Sequence, residues 1–164
     1  KIAGYAHEEG KGIIVAINKW DTIEKENSTY KKFIDDARVK LAFMRYAPIT
    51  TISAKTGQRV TGLYKMIEEV FSSCNLRIAT GVLNDILNDA MAMVQPPSDK
   101  GKRLKVFYMT QTSVKPPTFV LFVNNKDLLH FSYLRYIENQ LREAFGFYGT
   151  PVRFIIREKN REEK

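Results

Sequence analysis

Two short apolar runs in the first half of the chain have no alternating polar positions. They are residues 12–17, with the sequence GIIVAI, and residues 48–53, with the sequence PITTIS. Short runs of this kind are typical of strands that are buried on both faces, as in a parallel sheet. A sheet of only two strands would leave its faces and edges unprotected, so we expect exposed apolar surface there.

Helical segments flank these two predicted strands. Residues 1–9 indicate the end of a helix that stops at Gly10, and residues 29–44 and 61–72 carry apolar positions three or four apart. In the third of these helices, four residues on one face are predicted to point into the core: Leu63, Ile67, Val70 and Phe71. The order helix, strand, helix, strand, helix predicts an α/β domain with a parallel sheet.

The second half of the chain follows a different order. Its predicted elements are a helix over 80–94, a hairpin of strands over 105–114 and 118–123, a helix over 132–145 and a strand over 152–157. This α-β-β-α-β order belongs to the α+β class. We therefore divide the chain into an α/β domain, residues 1–73, and an α+β domain, residues 74–164.

The composition is that of a globular protein with a surplus of positive charge. Lys and Arg number 26 against 18 acidic residues, a net charge of +8, and residues 74–164 contribute 14 basic and 9 acidic residues. Such a surplus suits an RNA or ribosome surface, although a soluble basic protein explains it equally well. A single cysteine, Cys74, and two histidines exclude a disulfide framework and a closed zinc site. No apolar run is long enough to cross a bilayer, and we expect a cytoplasmic protein.

The motif Asn18-Lys19-Trp20-Asp21 directly follows the first predicted strand. An Asp at the C-terminal end of a parallel strand lies where open α/β sheets bind ligands. Its two carboxylate oxygens can accept hydrogen bonds from the N1–H and the exocyclic amine of guanine, a pattern that adenine does not offer. Asn18 can tie neighbouring loops together, the Lys19 stem can lie across the base, and we expect Trp20 to pack near it.

A second motif, Ser53-Ala54-Lys55, directly follows the second predicted strand. In that position the backbone N–H of Ala54 can donate to the carbonyl oxygen of guanine. The two motifs, on successive strands with a helix between them, resemble the fourth and fifth motifs of the Ras-like GTPases of the translation-factor type.

Longer stretches of the chain resemble one bacterial family. Residues 1–21, KIAGYAHEEGKGIIVAINKWD, are similar to the second GTPase domain of the EngA/Der family, whose members have two GTPase domains and a C-terminal KH-like domain. Residues 77–87 and 136–154 are similar to that C-terminal domain. The resemblance covers essentially the whole chain, and it implies the end of a Ras-like P-loop GTPase domain over 1–73 and a KH-like domain over 74–164.

The resemblance also implies ligands and partners. The guanine-binding residues that it implies are Asn18, Lys19, Asp21, Ser53, Ala54 and Lys55. The cofactor would be GTP or GDP, with Mg²⁺ in the complete protein. Because the family acts in assembly of the large ribosomal subunit, the expected partners are that subunit or its rRNA and the upstream GTPase regions of the same protein. Neither a membrane nor DNA is expected as a partner.

The sequence lacks two motifs that phosphate chemistry requires. It contains no GxxxxGK[ST] loop to hold the phosphates. It also contains no DxxG element to serve the side of the nucleotide where the magnesium ion and the γ-phosphate lie. We therefore expect no catalytic residue, no metal ligand and no GTP hydrolysis by this polypeptide alone.

Contact with RNA or the ribosome is expected from basic residues of the second half, although a solvated surface explains them equally well. They are Lys100, Lys102, Arg103, Lys105, Lys126, Arg135 and Arg142. A KH domain usually holds RNA through a GxxG loop between two helices. The only GxxG here, residues 146–149, follows a helix and precedes a strand, so we interpret it as a helix C-cap and a turn.

One alternative to this interpretation remains open. The chain could be a stand-alone RNA- or ribosome-binding KH-like module that works without nucleotide. An Era-type protein, with one GTPase domain followed by a KH domain, would require a basic GxxG loop and an additional helix, and neither fits this sequence.

Overall fold

The computed structural model describes residues 1–24, 28–99 and 101–159, and every predicted helix and strand is present in it. The helices are α1 (Ile2–Glu8), α2 (Thr29–Lys40), α3 (Val60–Cys74), α4 (Thr80–Met93) and α5 (Phe131–Phe145). The strands are β1 (Val15–Ile17), β2 (Ile49–Thr51), β3 (Ser98–Asp99), β4 (Lys102–Arg103), β5 (Val106–Ser113), β6 (Thr118–Val123) and β7 (Arg153–Glu158). The two-residue strands β3 and β4 were not predicted.

The chain divides into two compact units. Unit 1 contains Lys1–Asn75 and a short return segment, Phe147–Pro151, and unit 2 contains Leu76–Gly146 and the chain from Val152 onward. Backbone hydrogen bonds hold the return segment within unit 1. The N–H of Ile13 donates to the carbonyl of Gly149 at 2.8 Å, and the N–H of Gly149 donates to the carbonyl of Tyr46 at 3.1 Å. The domain boundary predicted at residue 73 does not include residues 147–151 in the first domain.

In unit 1, β1 and β2 form a parallel pair, with Val15 opposite Ile49 and Ile17 opposite Thr51. Ala16 is exposed, and Val15 and Ile17 are only half-buried. The prediction of a strand buried on both faces is therefore wrong for β1, because β2 is its only strand neighbour within the described residues.

The buried stripe of α3 differs from the predicted one. Val70 and Cys74 are buried, whereas Ile67 is 52% exposed and Phe71 is 61% exposed, so the prediction that the last two face inward is wrong. The physical reason is the backbone that packs on this side of α3. A Cβ added to Gly12 would lie 2.7 Å from the side chain of Val70 and 2.9 Å from that of Cys74. Only glycine allows so close an approach, which sets the register of the helix.

In unit 2, a three-stranded sheet has the order β5-β6-β7, with β6 antiparallel to β5 and parallel to β7. One face of the sheet forms the core with α4 and α5. Its fully buried side chains are Met109, Phe119, Leu121 and Val123 from the sheet, and Leu83, Leu87, Ile137 and Leu141 from the helices. The side chain of Asn84 fixes α4 to β5, since it donates to the carbonyl of Met109 and accepts from its N–H.

Among the described residues, no helix combines the length and the apolar character needed to span a membrane.

Candidate functional site

The two sequence motifs lie side by side at the carboxyl end of the parallel pair. The N–H of Ile52 donates to the carbonyl of Ile17 at 2.8 Å, and the N–H of Trp20 donates to the carbonyl of Ile52 at 3.0 Å. These bonds continue the pairing of β1 and β2 into the loops. The loop after β1 therefore meets the loop after β2, as the position of an open α/β ligand site requires.

The carboxylate of Asp21 is oriented by the second motif. The hydroxyl of Ser53 donates to Oδ1 of Asp21 at 2.5 Å, and the N–H of Thr56 donates to the same hydroxyl oxygen at 3.2 Å. Ser53 is fully buried, whereas Asp21 is exposed. A hydrogen bond to an ionised carboxylate is among the stronger ones in proteins, so this contact holds the acid in place at the surface.

The amide of Asn18 ties the two loops together, as its position in the motif predicts. Its Oδ1 accepts from the N–H of Ala54 at 3.1 Å and from the N–H of Lys19 at 2.7 Å. The N–H of Ala54, which the sequence assigns to the guanine carbonyl, is therefore engaged by Asn18 in this structure. A base that enters here would have to share that donor or displace the amide oxygen.

The backbone of Lys19 adopts the left-handed conformation, with φ 60° and ψ 34°. This conformation is unusual for a residue with a Cβ and costs about 1–2 kcal/mol. The chain then enters a short 3-10 turn, Trp20–Thr22, in which the hydroxyl of Thr22 donates to the carbonyl of Lys19 at 2.9 Å. The bend places Lys19 and Asp21 on one rim.

An open cleft of about 410 Å³ lies between the two loops. Its lining residues are Asn18, Lys19, Asp21, Thr22, Ala54 and Lys55. Five of the six predicted base-binding residues therefore line the cleft. The sixth, Ser53, does not line it but donates a hydrogen bond to Asp21. Thr22 was missed because it lies one position past the motif.

Trp20 anchors the first loop to helix α2. It is 3% exposed and makes edge contacts with the rings of Tyr30 and Phe33, at centroid distances of 6.0 Å and 5.4 Å. Its ring is buried against α2, and Trp20 is not among the residues that line the cleft. Arg59, which the sequence did not single out, lies over the ring of Tyr30 at 5.3 Å and donates to the hydroxyl of Thr51.

The basic candidates of unit 2 have different surroundings. Exposed cations are found at Lys102, Arg103, Lys105, Lys126 and Arg135. Arg142 is paired with Glu138, with Nε 2.8 Å from Oε1, and its side chain is only 17% exposed. Lys100 lies outside the described residues.

The GxxG segment is not an open loop. Gly146, with φ 83°, ends α5, which confirms the interpretation as a C-cap. Phe147 is fully buried, and a Cβ on Gly149 would lie 2.3 Å from the side chain of Val70. Phe147 and Gly149 therefore have little room to clasp a nucleic-acid backbone, whereas Tyr148 is 38% exposed.

Comparison with known proteins gives one consistent result. Residues 77–157 match the family model described as KH-domain-like of EngA bacterial GTPase enzymes, C-terminal. Proteins called GTPase Der from Acetivibrio thermocellus and Lachnospira eligens are 62% and 60% identical over 99% of the chain, and one from Lactococcus lactis subsp. cremoris is 57% identical over 97%. The chain spans 36–37% of the length of these relatives. The chain thus belongs to the EngA/Der family and contains its KH-like domain.

Proposed function

We propose that the cleft between the two loops of unit 1 reads the guanine base in a GTP-binding protein. The observation that carries this proposal is the hydrogen bond from buried Ser53 to exposed Asp21, which orients a carboxylate at the rim of the cleft. An oriented carboxylate can accept the two parallel N–H groups on one edge of guanine. Each hydrogen bond to the charged group contributes about 1.5–3 kcal/mol, and adenine would leave the acid unpaired.

The other cleft residues have supporting roles in this proposal. The stem of Lys19 offers an apolar surface for the face of the base. The N–H of Ala54 would pass from Asn18 to the guanine carbonyl, or be shared between them, when the base enters. Asn18 would then keep the loops together through its second contact, the N–H of Lys19.

We further propose that unit 1 is part of a Ras-like GTPase domain that is larger than these residues. The parallel strands with motifs at their carboxyl ends support this assignment.

Nucleotide hydrolysis and Mg²⁺ belong to the complete protein in this proposal. Within the ranges that the structure describes, no group of three or more His, Cys, Asp or Glu residues is placed to hold a metal ion. We assign no magnesium ligand and no catalytic residue to this chain, because its sequence lacks the GxxxxGK[ST] and DxxG motifs.

The partner we propose is the large ribosomal subunit or its rRNA, during assembly of that subunit. The surplus of 14 basic over 9 acidic residues in 74–164 supports a polyanionic partner. The exposed cations near the β4 end, Lys102, Arg103 and Lys105, are the first candidates for this contact. Nucleotide-independent binding by a KH-like module is the second candidate function, and the same surplus of charge favours it. Titration of ribosomal subunits with a polypeptide of the length of the relatives, in the presence and absence of GDP, distinguishes the two.

The substitution Asp21→Asn tests guanine reading in the complete protein. An amide offers a donor where the carboxylate offers an acceptor, so the variant should lose affinity for GDP and gain affinity for xanthosine diphosphate. Asp36→Asn, an exposed change of equal charge on α2, is the matched control and should leave both affinities unchanged. Unchanged GDP affinity in Asp21→Asn, with no gain for the xanthosine nucleotide, would refute the proposal.

A further inference from the structure

Arg59 occupies a position where local structure favours other residue types. It is the N-cap of α3, yet its side chain makes no capping hydrogen bond, and its backbone is left-handed, with φ 60° and ψ 8°. Ser, Thr, Asp and Asn are preferred at an N-cap, and a cation is unfavourable near the positive end of the helix dipole. A left-handed backbone is also strained for a residue with a Cβ. Residues that break such local rules usually serve another part of the structure.

The guanidinium of Arg59 reaches back to strand β2. Its Nη1 donates to the hydroxyl of Thr51, whose side chain is fully buried. A buried hydroxyl that loses its partner costs free energy, so this bond stabilises the strand end. Thr51 lies two residues before Ser53, which orients Asp21. The bond therefore joins the start of α3 to the strand end from which the second motif begins.

Residues 51–59 form a loop that is closed by two contacts. The inner contact is a hydrogen bond from the N–H of Ser53 to the carbonyl of Gln58, at 3.1 Å. The outer contact is the bond from Arg59 to Thr51, one residue further along the chain at one end and two residues earlier at the other. The residues of the second motif lie within this loop, so their direction depends on how firmly its two ends are held.

The same guanidinium also contacts the support of the first motif. Its central carbon, Cζ, lies 5.3 Å from the centroid of the Tyr30 ring, and that ring makes an edge contact with Trp20 at 6.0 Å. A planar guanidinium is attracted to the face of an aromatic ring, and it can donate hydrogen bonds from its edge at the same time. Arg59 thus joins β2 to α2, and α2 holds the loop of the first motif through Trp20.

We propose that Arg59 is a positioning residue for guanine recognition. It is not among the residues that line the cleft, and its guanidinium is engaged by Thr51 and Tyr30, so it acts through other residues. By holding the strand end and the loop, it keeps the hydroxyl of Ser53 in place to donate to Asp21. The carboxylate then keeps the direction in which it accepts both donors of guanine. The inference rests on the proposed guanine reading and adds a residue outside both motifs.

The test compares GDP with inosine diphosphate by calorimetry in the complete protein. The inosine base lacks the exocyclic amine but keeps the N1–H and the carbonyl, so the ratio of the two Kd values measures the second hydrogen bond that Asp21 accepts. Arg59→Ala should raise the Kd for GDP about three- to tenfold, the loss equivalent to one hydrogen bond. The Kd for inosine diphosphate should rise less than about twofold, because a single hydrogen bond tolerates a rotated carboxylate. Where two binding steps are seen, the ratio is taken from the step that Asp21→Asn weakens.

The ratio of the two Kd values separates positioning from folding. A loss of folded protein alone changes both Kd values by the same factor and leaves the ratio unchanged. Arg45→Ala is the matched control, because Arg45 is another exposed arginine of unit 1 that is not among the residues lining the cleft. It should change neither Kd value.

A pair of substitutions at Thr51 tests the same contact from the strand. Thr51→Val removes the acceptor oxygen at nearly equal volume and should lower the ratio as Arg59→Ala does. Thr51→Ser keeps the hydroxyl and should keep the ratio. This pair decides the question even where Arg59→Ala does not fold.

Combination with Ser53→Ala tests the route by which Arg59 acts. If Arg59 acts through Ser53, then Arg59→Ala should cause no further fall of the ratio in a protein that already carries Ser53→Ala. A full additional fall would mean that Arg59 contacts the nucleotide itself, which overturns the positioning role.

The outcomes distinguish this inference from the function on which it rests. Equal Kd values for GDP and inosine diphosphate in the unsubstituted protein contradict the proposed reading of guanine by Asp21. A normal preference for GDP in the unsubstituted protein, together with an unchanged ratio in Arg59→Ala and Thr51→Val, overturns the inference and leaves the proposed function standing.

Discussion

At the scale of single residues, the candidate base site depends on side chains that hold other residues of the cleft in place. Ser53 is buried and orients Asp21, Asn18 holds the N–H of Ala54, and Trp20 fixes the loop to α2. The motif residues thus divide into those that face the cleft and those that hold them. The strained backbone of Lys19 belongs to the second group, since the bend brings Asp21 to the rim.

Ser53→Ala should weaken nucleotide binding in the complete protein without a comparable loss of fold. The change removes the hydrogen bond to Asp21, which is worth about 1.5–3 kcal/mol and corresponds to an increase of about 12- to 140-fold in the Kd for GDP. Thr56→Ala is the control, because Thr56 is exposed and its backbone N–H, which meets Ser53, is retained. Equal Kd values for the two variants by calorimetry would show that Ser53 does not position the acid.

At the scale of elements, the sequence predicts which helices and strands are present better than it predicts which of their side chains are buried. The spacing of apolar residues identifies α3, but it places Ile67 and Phe71 inside because it cannot tell which side of the helix meets backbone. Contacts distant in sequence decide this: Gly12 and Gly149 pack on the side of Val70. The return of residues 147–151 to unit 1 is of the same kind, since it depends on pairing with Ile13 and Tyr46.

The register of α3 can be measured by a pair of alanine substitutions. Val70→Ala should lower the free energy of unfolding by about 1–3 kcal/mol, because Val70 is 6% exposed and packs against glycine backbone. Ile67→Ala removes more carbon but should cost less, because Ile67 is 52% exposed. Urea unfolding of both variants gives the comparison, and a larger loss for Ile67→Ala would contradict the observed register.

Two tyrosines of α5 close the C-terminal end of α4. The hydroxyl of Tyr133 donates to the carbonyl of Val94 at 2.8 Å, and that of Tyr136 donates to the carbonyl of Ala90 at 2.9 Å. The carbonyl of Val94 lies past the last turn of α4, where carbonyls lack a partner within the helix, so the bond from Tyr133 satisfies it. The carbonyl of Ala90 also accepts from the N–H of Val94 at 3.0 Å, so Tyr136 adds a second donor there. Burial, with a smaller contribution from Tyr136, raises the pKa of Tyr133 above its usual value.

Tyr133→Phe should destabilise the protein by about 0.5–1.5 kcal/mol at neutral pH, through loss of one hydrogen bond. The stability linked to the raised pKa of Tyr133 is fully present below the unfolded-state pKa near 10 and is lost as pH rises through the folded-state value. The difference between the two proteins should therefore shrink above about pH 10. Tyr64→Phe, at a 66% exposed position, is the control for thermal unfolding and should show no difference at either pH. A constant difference across this pH range would contradict the assignment.

At the scale of the whole molecule, the motifs could be predicted from sequence because each follows directly on a strand, so local order fixes their place at the sheet edge. The packing of the loops and of helix α2 against one another could not be predicted from the sequence. The capture of the Ala54 N–H by Asn18 and the burial of Trp20 on α2 depend on three-dimensional packing.

We propose that this chain reads a base but does not hold phosphates. The most direct test is an equilibrium titration of the 164-residue chain, and of a polypeptide with the length of its relatives, with fluorescent GDP and with ADP as control. We predict guanine-specific binding by the longer polypeptide and none by the chain alone, because base contacts without phosphate contacts are too weak to measure. Tight GDP binding by the 164-residue chain, or a longer polypeptide that does not prefer GDP to ADP, would contradict the claim.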